Sequence, residues 1–355
     1  MRGGRPVRFG LGLAVASVAV GCPASPLPED EYVREAAAAG RAERSNRYGE
    51  ASEGYERAAG RTADEATARS ALYRAAITAD QAGEAGRAMA LYLAVAERWP
   101  GTQDAGRALY DAGRLAQRSG GEDEAIGLWR RLIRDEPSSA MAEVAVRRLY
   151  QAYEDRGDLE GFAALVEEEL GRGPDRDVDL TAALRLHRAR AWAALDRPGE
   201  AYADLEAGLE RCPYPYCVFW DDLPWEGARI ARERGEWRRA VEWIDRLLFW
   251  KEECWFFNGS FYSAYFDDAQ RLKAELLRDE LGDAAGAAEA FLDLEEFTDS
   301  VLRDDGLFEA AELYLGPLAD PERGCALLRR LIEDYPDSNH RRAAGERLGR
   351  PPCAE

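Results

Sequence analysis

The feature that most constrains this chain is a pattern that returns after 37 residues. Ala88, Tyr92, Val95 and Pro100 stand in "GRAMALYLAVAERWP", and Ala125, Trp129, Leu132 and Pro137 stand at the same spacings in "DEAIGLWRRLIRDEP". Steps of four and three put the first three side chains of each set on one face of a helix, and the proline stops that helix. A fixed period of this size is the mark of an array of helix pairs, in which each unit buries its apolar face against its neighbours. Ahead of each such helix runs another apolar stripe: Leu72, Ala75, Ala76 and Ala79 in one unit, Leu109, Ala112, Gly113 and Ala116 in the next. The small pair Ala112–Gly113 lets two helices approach closely. Ala, Arg, Glu and Leu abound while β-branched runs are nearly absent, so the whole chain is expected to be all-α.

Weaker copies extend the pattern in both directions. Residues 31–60 make a degenerate first pair with Ala51, Tyr55 and Ala58 in the landmark positions. Later copies read Phe162/Val166/Pro174, Ala201/Leu205/Pro213, Ala240/Ile244/Leu247, Ala287/Phe291/Leu294 and Gly324/Leu328/Pro336. These divide the chain into repeats over 31–213, an aromatic- and Cys-rich region over 214–266, and further repeats with a capping helix over 267–349. A tail, 350–355, follows.

The landmark residues resemble the tetratricopeptide repeat, whose first helix carries Leu and a small pair and whose second carries Ala, an aromatic and a terminal Pro. The resemblance implies a right-handed α-α superhelical solenoid of about eight such hairpins. The usual period is about 34 residues, so helices or turns are longer here. The stretch from Ala96 to Ala145 is similar to the repeats of periplasmic envelope lipoproteins, namely the BamD-type assembly factors and the Tol-Pal-associated coordinator family, which implies a helical adaptor.

Residues 1–21 read as a targeting segment. Arg2, Arg5 and Arg8 precede an apolar run from Phe9 to Val20, which is too short to span a bilayer. The run ends Ala19-Val20-Gly21-Cys22 and resembles the bacterial lipoprotein signal, which implies lipidation at Cys22. The alternative is an ordinary cleaved signal with Cys22 near its end. Pro23 after the Cys, under the sorting rule of enteric bacteria, implies the periplasmic face of the outer membrane. Residues 22–30 then form a short tether. The formal charge is -20, and loss of the three N-terminal arginines would make it more negative still. Nucleic acid and anionic lipid are thereby disfavoured as electrostatic partners.

Region 214–266 holds 16 aromatic residues in 53, against 10% for the chain. Tyr214, Tyr216, Trp220, Trp255 and Phe256 are the candidate binding patch; the alternative is that they are core. Cys212, Cys217, Cys254, Cys325 and Cys353 are candidate disulfide cysteines in an oxidising compartment. One bridge is expected from Cys212 or Cys217 to Cys254, or between the first two. Cys325 and Cys353 could staple the cap. Cys212 and Cys217 without a nearby His make a poor zinc site, so no metal and no cofactor are expected. His187 and His340 lack a nucleophile at motif spacing, and the acidic pairs Asp221–Asp222 and Asp267–Asp268 fit helix N-termini better than glycosidase chemistry. The expected function is a non-catalytic scaffold holding a protein or peptide partner for envelope assembly or maintenance. The alternative is a lipoprotein that binds glycan or peptidoglycan through region 214–266.

Overall fold

The computed structural model describes residues 28–173, 177–250 and 263–354. Among them are seventeen α-helices, one 3-10 turn and no strand. The proposed signal, Cys22, most of the tether, Pro174, Cys254, Trp255 and Phe256 lie outside the described residues. Contacts divide the chain into two compact units, up to Leu91 and from Tyr92 onward, the division falling inside helix α4.

The first unit contains α1 (Pro28–Arg44), α2 (Tyr48–Ala59), α3 (Glu65–Gln81) and the start of α4 (Ala85–Arg98). The Asp64 side chain accepts from Thr67 N and so satisfies one of the free amides that open α3. The stripe Leu72, Ala75, Ala76 and Ala79 is buried, as its spacing requires. Gly54 of α2 packs on Ala39 of α1, so closely that an added Cβ would stand 2.8 Å from the alanine methyl. Ser52 Oγ donates to Ala75 O at 2.8 Å, tying α2 to α3 through buried polar atoms.

The second unit continues with α5 (Gln103–Arg118), α6 (Glu122–Asp135), α7 (Ala140–Asp155), α8 (Leu159–Leu170), α9 (Val178–Ala194) and α10 (Pro198–Leu209). It goes on through α11 (Asp222–Glu233), α12 (Trp237–Leu248), α13 (Phe266–Asp279), α14 (Ala284–Leu292), α15 (Arg303–Leu315), α16 (Pro321–Asp334) and α17 (Arg341–Leu348). Counted in chain order with α1–α2 as the first pair, hairpins three to eight of this unit are α5–α6, α7–α8, α9–α10, α11–α12, α13–α14 and α15–α16, and α17 is the closing helix. Every apolar landmark named above is buried, from Tyr92 and Val95 through Trp129 and Phe162 to Leu328. Caps recur at helix starts: Thr102, Ser139, Asp158, Asp177, Asp283 and Asp320 each accept from a backbone amide in the first turn.

Neighbouring hairpins are stitched one repeat apart. Glu136, a buried carboxylate, accepts from Gly101 N through both oxygens at 2.9 and 3.0 Å. Gln103 bridges the same two turns, donating to Ser138 O and accepting from Ala140 N. Gly101 itself sits at φ +74°, which only glycine adopts freely. Ion pairs follow the same rhythm: Arg156–Glu122 at 2.7 Å, Arg234–Asp196 at 2.6 Å and Arg347–Glu312 at 2.6 Å. Exposed pairs of this kind each contribute at most about 1 kcal/mol, but their spacing fixes which hairpin meets which.

Hairpin five is the exception to this exposed chemistry. Helix α9 is buried nearly all round, because α7, α8, α10 and α11 pack about it. Its Arg188 reaches Asp204 of α10 through two nitrogens at 2.7 and 2.6 Å, and also pairs with Glu167 of α8. Arg185 and the Trp192 indole donate to the same carboxylate at 3.1 Å each. Four donors on one buried acid offset the loss of its water.

Candidate functional site

A recess of about 400 Å³ crosses the first helices of hairpins four, five and six. Tyr150 and Glu154 line it from α7, Arg190 from α9, and Arg229, Ile230 and Glu233 from α11. These helices repeat the same register, so residues 36 to 40 apart in sequence, such as Tyr150 and Arg190 or Arg190 and Glu226, come side by side. Arg190 donates to Glu226 at 3.1 Å, and Arg229 holds the other Glu226 oxygen while reaching Glu233. Glu226 itself is buried, so the two guanidiniums make up for its lost hydration. Tyr150 donates to Glu154 at 2.7 Å, and burial together with that carboxylate pushes its phenol well above the ordinary tyrosine range. Behind it the His187 ring lies 5.5 Å away, and burial, with Arg190 and Arg147 adding to it, drives that imidazole down to about 3. It is a neutral core histidine.

Further along, Tyr265 stacks on Trp225 at 5.1 Å and donates to Asp222 at 2.8 Å. Burial raises the Asp222 carboxyl, opposed by that hydrogen bond. Asp267 accepts from Ser300 Oγ at 2.7 Å. His340 Nε2 lies 2.7 Å from Asp305 Oδ1, and its ring stacks on Phe308 at 4.4 Å. These acids and histidines are engaged in joining elements.

The aromatic region divides. Cys212 and Cys217 are bonded to each other, closing a short loop after α10. Tyr214 in that loop stacks on Trp250 at 4.8 Å and meets Trp220 edge-on at 4.9 Å. Trp220 is only 7% exposed and rests near the fully buried Phe266, which removes it from the candidate patch. The reason is that its indole is packed between Tyr214 and Phe266, the first residue of α13, with the Phe266 ring centroid 5.9 Å away. Tyr214 is half-buried, whereas Tyr216 is 85% exposed, with Val218 and Phe249 also exposed. The second disulfide joins Cys325 of α16 to Cys353 of the tail. Among the described residues, Glu143, Asp177 and Asp179 bring carboxylate oxygens within 4.8 Å of one another. No helix among the described residues is long and apolar enough to cross a membrane.

Two features escaped the reading of the sequence. The first is the polar network along α7, α9 and α11, whose members lie a repeat apart and look like ordinary surface charges one at a time. The second is what meets the close approach that Ala112–Gly113 signals, a lock between hairpin partners. A Cβ on Gly113 would stand 2.3 Å from the Trp129 indole nitrogen, and one on Gly227 would stand 2.3 Å from the Trp243 ring. Both locks join residues 16 apart, a spacing that was there to be counted.

Residues 305–338, which span α15, α16 and the turn before α17, match the tetratricopeptide repeat family model. The repeats are tetratricopeptide-like. The chain is similar to the C-terminal part of a TPR repeat-containing protein from Cytophaga hutchinsonii, at 15% identity over 76% of this chain and 98% of that one, with a TM-score of 0.43. A tetratricopeptide repeat protein from Parabacteroides merdae is similar at 15% identity over 79% and 97% of the two chains, TM-score 0.36. Pseudomonas aeruginosa pilF is similar at 14% identity over 67% and 95%, TM-score 0.36. No curated protein sequence matches the chain. Tetratricopeptide arrays are typically non-catalytic scaffolds for protein–protein interaction.

Proposed function

We propose that this protein is a non-catalytic adaptor, lipid-anchored through Cys22 at the periplasmic face of the outer membrane, that holds a protein or peptide partner for envelope assembly or maintenance. The observation that carries the interaction role is the recess over α7, α9 and α11. Its side chains are held by one another, so they present a fixed arrangement of guanidiniums, carboxylates and apolar floor to an incoming segment. Binding on rigid elements keeps the ordering cost of association low. Support for the anchor is the order of arginines, apolar run, Gly21 and Cys22.

Site-specific photo-crosslinking in cells tests the partner claim. A photoreactive residue at Ala194, which lines the recess, should give a discrete protein adduct that disappears with Arg229→Glu. The same residue at the exposed Gly127 of α6 should not give it. Equal adducts from both positions, or none from Ala194, would remove the recess from the argument. Fractionation tests the anchor separately: Cys22→Ser should leave the membrane fraction.

A further inference from the structure

Helix α1 sorts its charges by face. Its described carboxylates turn toward α2, α3 and the turn between them. Glu31 pairs with Arg61 at 3.2 Å and Glu35 with Arg57 at 3.2 Å, while Glu43 takes Arg74 at 3.0 Å and the Tyr55 hydroxyl at 2.7 Å. The arginines do the opposite. Arg34, Arg41 and Arg44 are exposed, and none of them has an ion-pair partner among the described residues. Helical spacing puts them on one side of α1, interleaved with Val33, Ala37 and Ala38, which are exposed as well. Beside Arg41 the seam between α1 and α2 opens into a recess of about 360 Å³. There Arg47 answers Glu50 and Arg57 answers Glu53, so Arg41 is left uncommitted. Glu29 and Asp30 open the helix, at the end where negative charge is favoured.

We propose that this face of α1 lies on the anionic phospholipid headgroups of the membrane that holds the protein by Cys22. The proposal rests on the anchor at Cys22 and adds an orientation to it. Two observations select this occupant. One is charge: guanidiniums without partners complement phosphates, and the carboxylates described on this helix are already answered from within the fold. The net charge of -20 opposes anionic lipid for the molecule as a whole. Exposed charges more than about 10 Å apart are screened at physiological salt, however, so the face in contact decides.

The other observation is reach. Only residues 22–27 lie between the anchor and Pro28, and fully extended they span at most about 20 Å. The start of α1 therefore stays close to the headgroups, and the tether supplies the effective concentration that a weak electrostatic contact needs. Laid flat, the stretch from Val33 to Arg44 covers about 16 Å. Val33 and the two alanines then meet the boundary between headgroups and acyl chains, with the guanidiniums among the phosphates. Each arginine at such a surface strengthens attachment roughly fivefold.

Photo-crosslinking in vesicles tests the docking. The acylated protein, carrying a photoreactive residue at Ala37, is reconstituted in phosphatidylcholine with or without phosphatidylglycerol. Phospholipid adducts should be at least about fivefold more abundant with phosphatidylglycerol. They should fall to the phosphatidylcholine level when Arg34→Glu, Arg41→Glu and Arg44→Glu are combined, and should fall in the wild type as salt is raised. The same residue at Ser70, exposed on α3, should give few adducts in either vesicle. Equal adducts from Ala37 in both vesicles, adducts indifferent to salt, or equal labelling from Ser70 would overturn the docking face. In cells, a protein adduct from Ala37 in place of phospholipid would overturn it too. Mass spectrometry of the N-terminal peptide separates this from the anchor. An acylated Cys22 without the phosphatidylglycerol-dependent adduct removes the docking face alone, whereas an unmodified Cys22 removes the anchor and this proposal with it.

Discussion

Replacing Gly113 by alanine adds one methyl group and should nevertheless destabilise the protein. Gly113 lies in the middle of α5, where alanine would ordinarily stabilise by about 0.5–1 kcal/mol through helix propensity. Here the new Cβ would stand 2.3 Å from the Trp129 indole nitrogen, 2.7 Å from Cδ1 and 2.8 Å from Cε2. Ordinary contact needs the ring to withdraw by about 1 Å. Trp129 has nowhere to go: it is fully buried, with Ala125, Leu132 and Ile133 of its own helix also at zero exposure. Overpacking in such a core costs about 1–3 kcal/mol, so the net change is a loss of about 1–2 kcal/mol. Gly127 supplies the control. It is also helical, one helix on, and an added Cβ meets nothing within 4 Å, so Gly127→Ala should stabilise. Trp129→Phe removes the pyrrole atoms nearest the clash, and in the Gly113→Ala background it should recover at least about 1 kcal/mol of coupling in a double-mutant cycle. Urea denaturation followed by far-UV circular dichroism reads the wild type and the four variants. If Gly113→Ala raises the midpoint as Gly127→Ala does, the helix contact described here is wrong.

Two further outcomes are expected. The Cys325–Cys353 bond closes a loop with a sequence separation of 28, for which the chain-entropy picture gives about 3–4 kcal/mol. The double serine variant should therefore melt earlier than wild type under oxidising conditions and no differently from it in reductant, and a wild-type melt indifferent to reductant would contradict this. Because burial holds the His187 imidazole at about 3, below its ordinary value, the stability it permits is present above about pH 6.5 and is lost as pH falls toward 3. His187→Leu should flatten that acid limb of the stability profile, and an unchanged limb would mean that the ring is solvated.

How much of this was legible beforehand depended on whether the signal was local. The stripe Leu109, Ala112, Gly113 and Ala116 and the landmarks Ala125, Trp129 and Leu132 each lie within one helix, and helical period alone placed them in the core. The prolines at 100, 137 and 336 likewise stand two residues past the helix ends at Arg98, Asp135 and Asp334. Trp220 was harder, since its burial depends on Phe266 from a helix 46 residues on, and composition says nothing about which aromatic of a cluster turns inward. Arg190, Glu226 and Arg229 were harder still. Each is an ordinary charged residue on an amphipathic helix, and only the register between hairpins makes them a network. The pairing of Cys212 with Cys217 was one of the alternatives left open, because spacing does not choose among partners.

The carboxylate of Asp204 has a consequence for how such a chain can change over evolutionary time. Arrays of near-identical hairpins grow and shrink by duplication and loss of whole units, since each apolar seam accepts the next. Hairpin five does not fit that economy. Its acid is matched to Arg185, Arg188 and Trp192 of its own pair, and Arg188 reaches back to Glu167 of the pair before. Excising α9 and α10 together would strand Glu167 at the surface and leave the buried Glu226 to Arg229 alone, whereas splicing α10 behind any other first helix would leave a buried negative charge with no donors. Hairpin five is thus an indivisible module with a lock matched to its own key. Insertions and deletions tolerated by this lineage should fall between hairpins and never between α9 and α10.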